Sequence, residues 1–271
     1  MPGFPAPLAL VNPELSPDER AGVAPLREAA VALPWLAVDA SGGPTPNLTL
    51  AAILHPDEPG LDRFFAQIPA WVEQIAVVWD GRRPHTFPDD PRLTDATRPL
   101  DDFAAQRNAC LDLCAGEWVL FLDGDELLPD WGWKEVRRVL AAPPAEALAL
   151  PRATLYPDAE HAKVGYGLWP DVQLRLFRRT ESVRFERPVH ERLTGHQGPA
   201  ALLRSPAILH ESRLRKTPEQ ILAKLDRFRE AGGPSHMLNP DYPSRPLVEL
   251  PGSTPVPGGS PEALVLPSKG S

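Results

Sequence analysis

Two stretches carry the residues best able to do chemistry. Asp123-Gly124-Asp125-Glu126 places three carboxylates within four residues, directly after the unbroken apolar run Trp118 to Leu122. Carboxylates so close repel one another unless a cation sits among them. A divalent metal that also holds substrate phosphates suits the spacing, because Mg²⁺ takes one or two carboxylates and fills its shell with phosphate and water. A plainer reading stands beside it, since Asp-Gly is common turn chemistry and acids favour the first turn of a helix. A calcium loop fits poorly, because Leu127 and Leu128 stand where further loop positions should be. The second stretch holds Arg107, four residues after Phe103 on the apolar stripe of a predicted helix. A buried guanidinium needs an anion, and either a ligand in the adjacent cleft or a structural carboxylate serves.

These residues need elements to hold them. Five consecutive apolar residues at 118–122 read as a strand buried on both faces, as in a parallel sheet. Leu48 to Leu54 and Ile75 to Trp79 read the same way, with a helix over Pro59 to Ile68 between them. Strand, helix, strand with short connections is a βαβ unit. Ligands of open α/β sheets bind where the carboxyl ends of the strands open into a crevice. Asp80 and Asp123 both follow such ends. Residues 82–100 read as loop, 101–115 as a helix capped by Asp101 or Asp102, and 130–140 as a helix. Gly165 to Pro170, with Trp169, is an aromatic loop that leads from Asp171 into the alternating strand 172–179. Residues 207–209 form a short strand ending in His210, and Thr217 opens a last helix reaching about Ala231.

Composition bounds the rest. The 271 residues are 42% hydrophobic, enough for one substantial α/β domain. A net charge of −8 argues against a nucleic-acid partner. Cys110 and Cys114 read as packed thiols, and the absence of a long apolar run or basic-then-apolar leader gives a soluble, cytoplasmic protein. Residues 1–46 and 234–271 are Pro-rich and read as extensions, the second disordered, around a domain at 47–233.

Several motifs in order then resemble the family 2 glycosyltransferases. The segments are Asp102-Phe-Ala-Ala-Gln-Arg-Asn108, Gly116 to Glu126, Gln173 to Arg179, Pro188-Val-His-Glu191, and His210 before a basic helix. The likeness is greatest to the branch with bacterial lipopolysaccharide-core β-glycosyltransferases and spans about residues 47–230. It implies a GT-A fold, a single Rossmann-like α/β domain with a mostly parallel central sheet flanked by helices. It implies inverting transfer from a nucleotide-sugar to a glycan or lipid-linked hydroxyl in cell-envelope synthesis. By the resemblance, Asp80 contacts the nucleobase, Arg107 lies near the diphosphate, and Asp123 touches ribose or the metal shell. Asp125 ligates Mg²⁺ or Mn²⁺, with His210 beside it. His190 and Trp169 line the acceptor side, and Glu191 or Asp171 is the base. Arg213, Arg215 and Lys216 offer a basic patch for peripheral membrane contact. The chain departs from the pattern at His55-Pro-Asp-Glu58, where Asn-Glu is usual, and at Arg82-Arg83-Pro84, where a second acid often follows. Two other readings remain: a GT-A-like nucleotide-binding module without turnover, and a haloacid-dehalogenase-type phosphatase with Asp123 as nucleophile.

Overall fold

The computed structural model describes residues 35–38, 43–84, 90–164, 169, 171–188, 191–217, 219–220, 222–223, 226, 243–255 and 259–265. The first half of the chain forms β1 (Leu36–Ala37), β2 (Leu48–Leu54), α1 (Leu61–Ala66), β3 (Gln74–Trp79), β4 (Leu93–Thr97) and α2 (Phe103–Leu113). Next come β5 (Trp118–Phe121), β6 (Glu126–Leu127), α3 (Asp130–Ala141), β7 (Ala147–Thr154) and β8 (His161–Lys163). The remainder gives β9 (Asp171–Arg178), β10 (Arg184–Glu186), β11 (Arg192–Thr194), β12 (Ala200–Leu203), β13 (Ile208–His210) and α4 (Ser212–Arg215). After it come β14 (Ser244–Pro246), a short 3-10 turn at Leu247–Glu249, and β15 (Glu262–Val265).

The main sheet runs β1-β15-β12-β7-β9-β5-β2-β3-β4, and β13 joins β7 to β6. Strands β5, β2, β3 and β4 are mutually parallel. The α/β class expected from the sequence is the one observed, and its three apolar strands lie side by side. Strand β9 runs antiparallel between β5 and β7, and β15 and β1 run antiparallel at the far edge, so the sheet as a whole is mixed.

Alternation along β2 explains the two layers. Leu48, Leu50, Ala52 and Leu54 pack with Phe64 of α1 and Trp133, Val136 and Leu140 of α3. Ala51 turns the other way, onto Ala104, Cys110 and Leu111 of α2. Each fully buried Leu or Phe contributes about 1.5–3 kcal/mol of transfer free energy. Both thiols are free and buried. Asp102 caps α2 by accepting the Ala105 N–H at 2.9 Å.

Three expectations are corrected. Residues 82–100 are not all loop: β4 is a polar edge strand whose Leu-Thr-Asp-Ala-Thr sequence has too few apolar residues to announce itself. The tail at 234–271 is not simply disordered, because it supplies β14, a turn bearing the buried Leu250, and β15, whose Ala263 and Leu264 are fully buried. Prolines flank these short strands and hide them from a compositional reading. The N-terminal stretch likewise sends Leu36–Ala37 to pair with β15. Most of the expected helix from Thr217 to Ala231 lies outside the described residues.

This topology fixes the place of the site. From β2 the chain moves outward to β3 and β4, then returns through α2 to β5 on the other side of β2. The strand order therefore reverses between β2 and β5. The two parallel strands end side by side, β2 into His55–Glu58 and β5 into the acidic turn. Gly124 lies so close under them that a Cβ there would meet Leu54 Cδ2 at 3.0 Å and Glu58 Cγ at 3.1 Å.

Candidate active site

The acidic turn closes on itself before it meets anything else. The Glu126 N–H donates to the Asp123 carbonyl at 2.9 Å, and the Asp123 N–H to Glu126 Oε2 at 3.0 Å. Strand β13 then pairs with β6 and β7 together, setting His210 beside Glu126 and Thr154. Its imidazole lies with Nδ1 3.1 Å from the Thr154 hydroxyl and Nε2 3.5 Å from Asp125 Oδ1.

Three arginines bind the carboxylates into one network. Arg107, on α2, donates through Nη2 to Asp123 Oδ1 at 2.8 Å and through Nε to Glu191 Oε1 at 2.6 Å. Its guanidinium lies over the Phe121 ring, 4.6 Å from the centroid. Arg175, from the middle of β9, donates to Asp123 Oδ2 at 2.6 Å and to Glu126 Oε1 at 2.7 Å. Arg152 of β7 faces Asp171 across the ladder and joins it to Glu126, at 2.7 and 2.8 Å. Asp171 Oδ1 also accepts from Gln173 at 2.7 Å. Arg107 Nη1 and Arg175 Nε are buried donors with no hydrogen-bond partner among the described residues.

Burial alone would push the Asp123 carboxyl up. Arg107 and Arg175 outweigh it and hold the group well below the usual carboxylate range. Burial likewise opposes the charge of Arg175, and Asp123 and Glu126 more than restore it.

A second cluster adjoins the first. Lys216 Nζ lies 2.6 Å from Glu58 Oε1 and 2.9 Å from Asp125 Oδ2. Counting both clusters, six carboxylates (Glu58, Asp123, Asp125, Glu126, Asp171, Glu191) face four fixed cations (Arg107, Arg152, Arg175, Lys216). Among these described groups the carboxylates outnumber the fixed cations by two.

The fold thus brings together Asp123, Asp125, Arg107, Asp171, Glu191 and His210, which are scattered over a hundred positions. Asp80 stays apart, accepting the Leu100 N–H at 2.9 Å. Trp169 is buried with Ala153, Ala162, Ala207 and Leu250, outside the ion network. His190 lies outside the described residues. The expected basic membrane patch does not form around Arg215 and Lys216. Arg215 turns inward to Glu211 and to the carbonyls of Pro59 and Gly60, and Lys216 to Glu58 and Asp125. No helix among the described residues is long and apolar enough to cross a membrane.

Sequence reasoning missed Arg152, Arg175, Glu58 and the placing of Lys216. One signal was present for Arg175: alternation puts it on one face of a strand that is apolar on the other.

No protein-family model matches the chain. A TPR repeat-containing protein of Synechococcus elongatus is 32% identical over 157 residues, covering 55% of this chain and 36% of that protein. The chain therefore spans about a third of that relative's length. Among solved structures, Staphylococcus aureus TarS 1–349 in complex with UDP-GlcNAc is similar at a TM-score of 0.39 and 14% identity, over 53% of this chain and 49% of that one. Mannosyltransferase PcManGT from Pyrobaculum calidifontis, in complex with GDP-Man and Mn²⁺, is similar at 0.35 and 21%, over 50% of this chain and 45% of that one. Likenesses at such TM-scores decide nothing about chemistry, which rests on the site.

Proposed function

We propose that this chain transfers a sugar, with inversion, from a nucleotide-sugar to a hydroxyl of a glycan or lipid-linked glycan on the cytoplasmic side of the envelope. The observation that carries the reading is the acidic turn at the strand-order reversal, ringed by arginines with unsatisfied donors. Such a crevice is where α/β sheets bind ligands. Asp80, after β3, is suited to the nucleobase. The buried Nη1 of Arg107 and Nε of Arg175 suit diphosphate or ribose oxygens, since leaving a buried donor unpaired costs about 1–3 kcal/mol.

Mg²⁺ or Mn²⁺ fits the donor chemistry in part. Asp125 Oδ1 and His210 Nε2, 3.5 Å apart, are oxygen and nitrogen donors on one side of the crevice. No three His, Cys, Asp or Glu side chains among the described residues converge on one metal position, so substrate phosphates would complete the shell. One divalent ion would also lessen the excess of carboxylate charge, and when bound it would neutralise charge growing on the leaving diphosphate.

Of the two candidate bases, Glu191 is the better placed. Its Oε1 is fixed by Arg107, while Oε2 has no hydrogen-bond partner among the described residues and can take the acceptor's proton. Asp171 has both oxygens engaged. A phosphatase using Asp123 as nucleophile fits less well, because both of its oxygens accept from arginines.

Calorimetry with UDP- and GDP-sugars, in Mn²⁺ and in EDTA, tests the reading alongside slow donor hydrolysis. Wild type should bind one of them and hydrolyse it. Glu191→Gln should keep affinity within about threefold and lose roughly 10²–10⁴ in turnover, the range for a general base. Binding without turnover in wild type, acceptor supplied, points to the inactive module. No nucleotide binding under any condition sinks the proposal.

A further inference from the structure

Lys216 Nζ is held against one oxygen of Asp125, whose other oxygen faces His210. Its ammonium bridges Glu58 and Asp125, and its side chain is only 9% exposed. The segment that carries it is fastened at several points. The Glu211 N–H donates to the Asp125 carbonyl at 2.8 Å, and the Glu211 carboxylate pairs with Arg63 at 2.9 Å and with Arg215. Arg215 in turn donates to the carbonyls of Pro59 and Gly60 at 3.2 and 3.1 Å. Burial opposes the ammonium charge, and Asp125 and Glu58 outweigh it, so its pKa is raised.

We infer that Lys216 is an internal counter-ion that competes with a divalent cation for Asp125, so that a metal enters the acidic turn only as Lys216 leaves it. A divalent ion ligated by a carboxylate oxygen sits about 2.1 Å from it. With Lys216 2.9 Å from the other oxygen of the same carboxylate, the two cations would stand within a few ångströms and repel strongly. Exchanging the ammonium for a divalent ion adds one net positive charge beside these carboxylates. Exchange keeps the turn compensated in the absence of ligand and links metal entry to the position of residues 211–216. The linkage is reciprocal: whatever draws Lys216 away raises metal affinity by the factor with which the metal drives Lys216 out. The inference rests on the glycosyltransferase reading only in taking the cation as part of the donor site.

The test is direct Mn²⁺ binding to the full chain, followed by electron paramagnetic resonance without nucleotide. Lys216→Met should bind Mn²⁺ at least about tenfold more tightly than wild type, since it removes the competitor and leaves Asp125 in place. Lys216→Arg, which keeps the charge, should stay near wild type. Adding Asp125→Asn to Lys216→Met should abolish the gain. Circular dichroism checks that each variant is folded, and Lys216→Gln serves as a second neutral variant if the methionine is not accommodated. The inference is overturned if the neutral variants bind Mn²⁺ no more tightly than wild type. It is overturned equally if arginine matches methionine, or if the gain survives loss of Asp125. A Mn²⁺ gain with no nucleotide binding would fault the donor-site reading and leave the competition standing.

Discussion

Asp123 is the residue through which two of the three arginines reach the crevice, and its charge should be visible in stability. Asp123→Asn removes the acceptor charge from Arg107 and Arg175. Removing one partner of a fully buried pair costs about 3–5 kcal/mol. The Asp123 side chain is 29% exposed, so a smaller cost of roughly 1–3 kcal/mol is expected. The pH dependence has a definite sign. The folded-state carboxyl is held below its ordinary 3.8, so its contribution is complete above that value and is lost as pH falls through the folded pKa. In denaturant titrations the gap between wild type and variant should be flat from about pH 9 to 5 and narrow below about pH 4. A gap that persists unchanged into strong acid would mean that geometry, not charge, is what the variant loses. Asp123 and Asp125 stood out as candidates in the sequence because a buried strand ends on them abruptly. Their partners did not. Arg107, Arg175 and Lys216 lie 16, 52 and 91 positions from the aspartate each one holds, and a single sequence records no pairing over such distances.

At the scale of elements, the two crevice helices start differently. Helix α2 begins on Asp102, whose side chain caps it, and this was readable from residue type. Helix α1 begins on Gly60 with φ of 85° and no side-chain cap. There the needed feature is an absent Cβ, because one would lie 1.9 Å from Arg215 Nη1. Gly60→Ala should therefore cost about 1–3 kcal/mol from the left-handed backbone alone. It should also push Arg215 off the carbonyls of Pro59 and Gly60 and loosen the segment that ends in Lys216. Chemical denaturation measures the first effect. Faster proteolysis near residues 211–217 in the folded variant, compared with wild type, measures the second. Stability lost without faster cleavage would separate the turn from the arm. The same contrast explains what was readable among the strands. β2, β3 and β5 are apolar on both faces and stand out. β4 and β15 are short, partly polar or proline-flanked, and gain their strand character only from the neighbours they meet.

Across the whole molecule, the sheet is closed at one edge by both termini of the described chain. β15 pairs with β12 on one side and β1 on the other, and Arg204 of the β12 end meets Glu262 at 2.5 Å. This edge lies on the far side of β7 and β9 from the parallel strands that end at the acidic turn. Ending the chain at residue 255 should therefore damage stability more than the site. The loss includes the buried Leu264, worth about 1.5–3 kcal/mol, together with the ladder to β12. In a domain of this size 1 kcal/mol moves Tm by about 2–4 °C, so a fall of roughly 5–10 °C is expected. The uncovered edge of β12 would also present unpaired N–H and C=O groups, and aggregation on heating should increase. An unchanged Tm would restore the view of the tail as a passive extension. The proposed nucleotide binding, measured at low temperature, discriminates further. Its survival in the shortened chain would mean that the parallel half of the sheet and its acidic turn form without the closing edge. Its loss would mean that the arginines on β7 and β9 reach Asp123 and Glu126 only when β12 is pinned behind them.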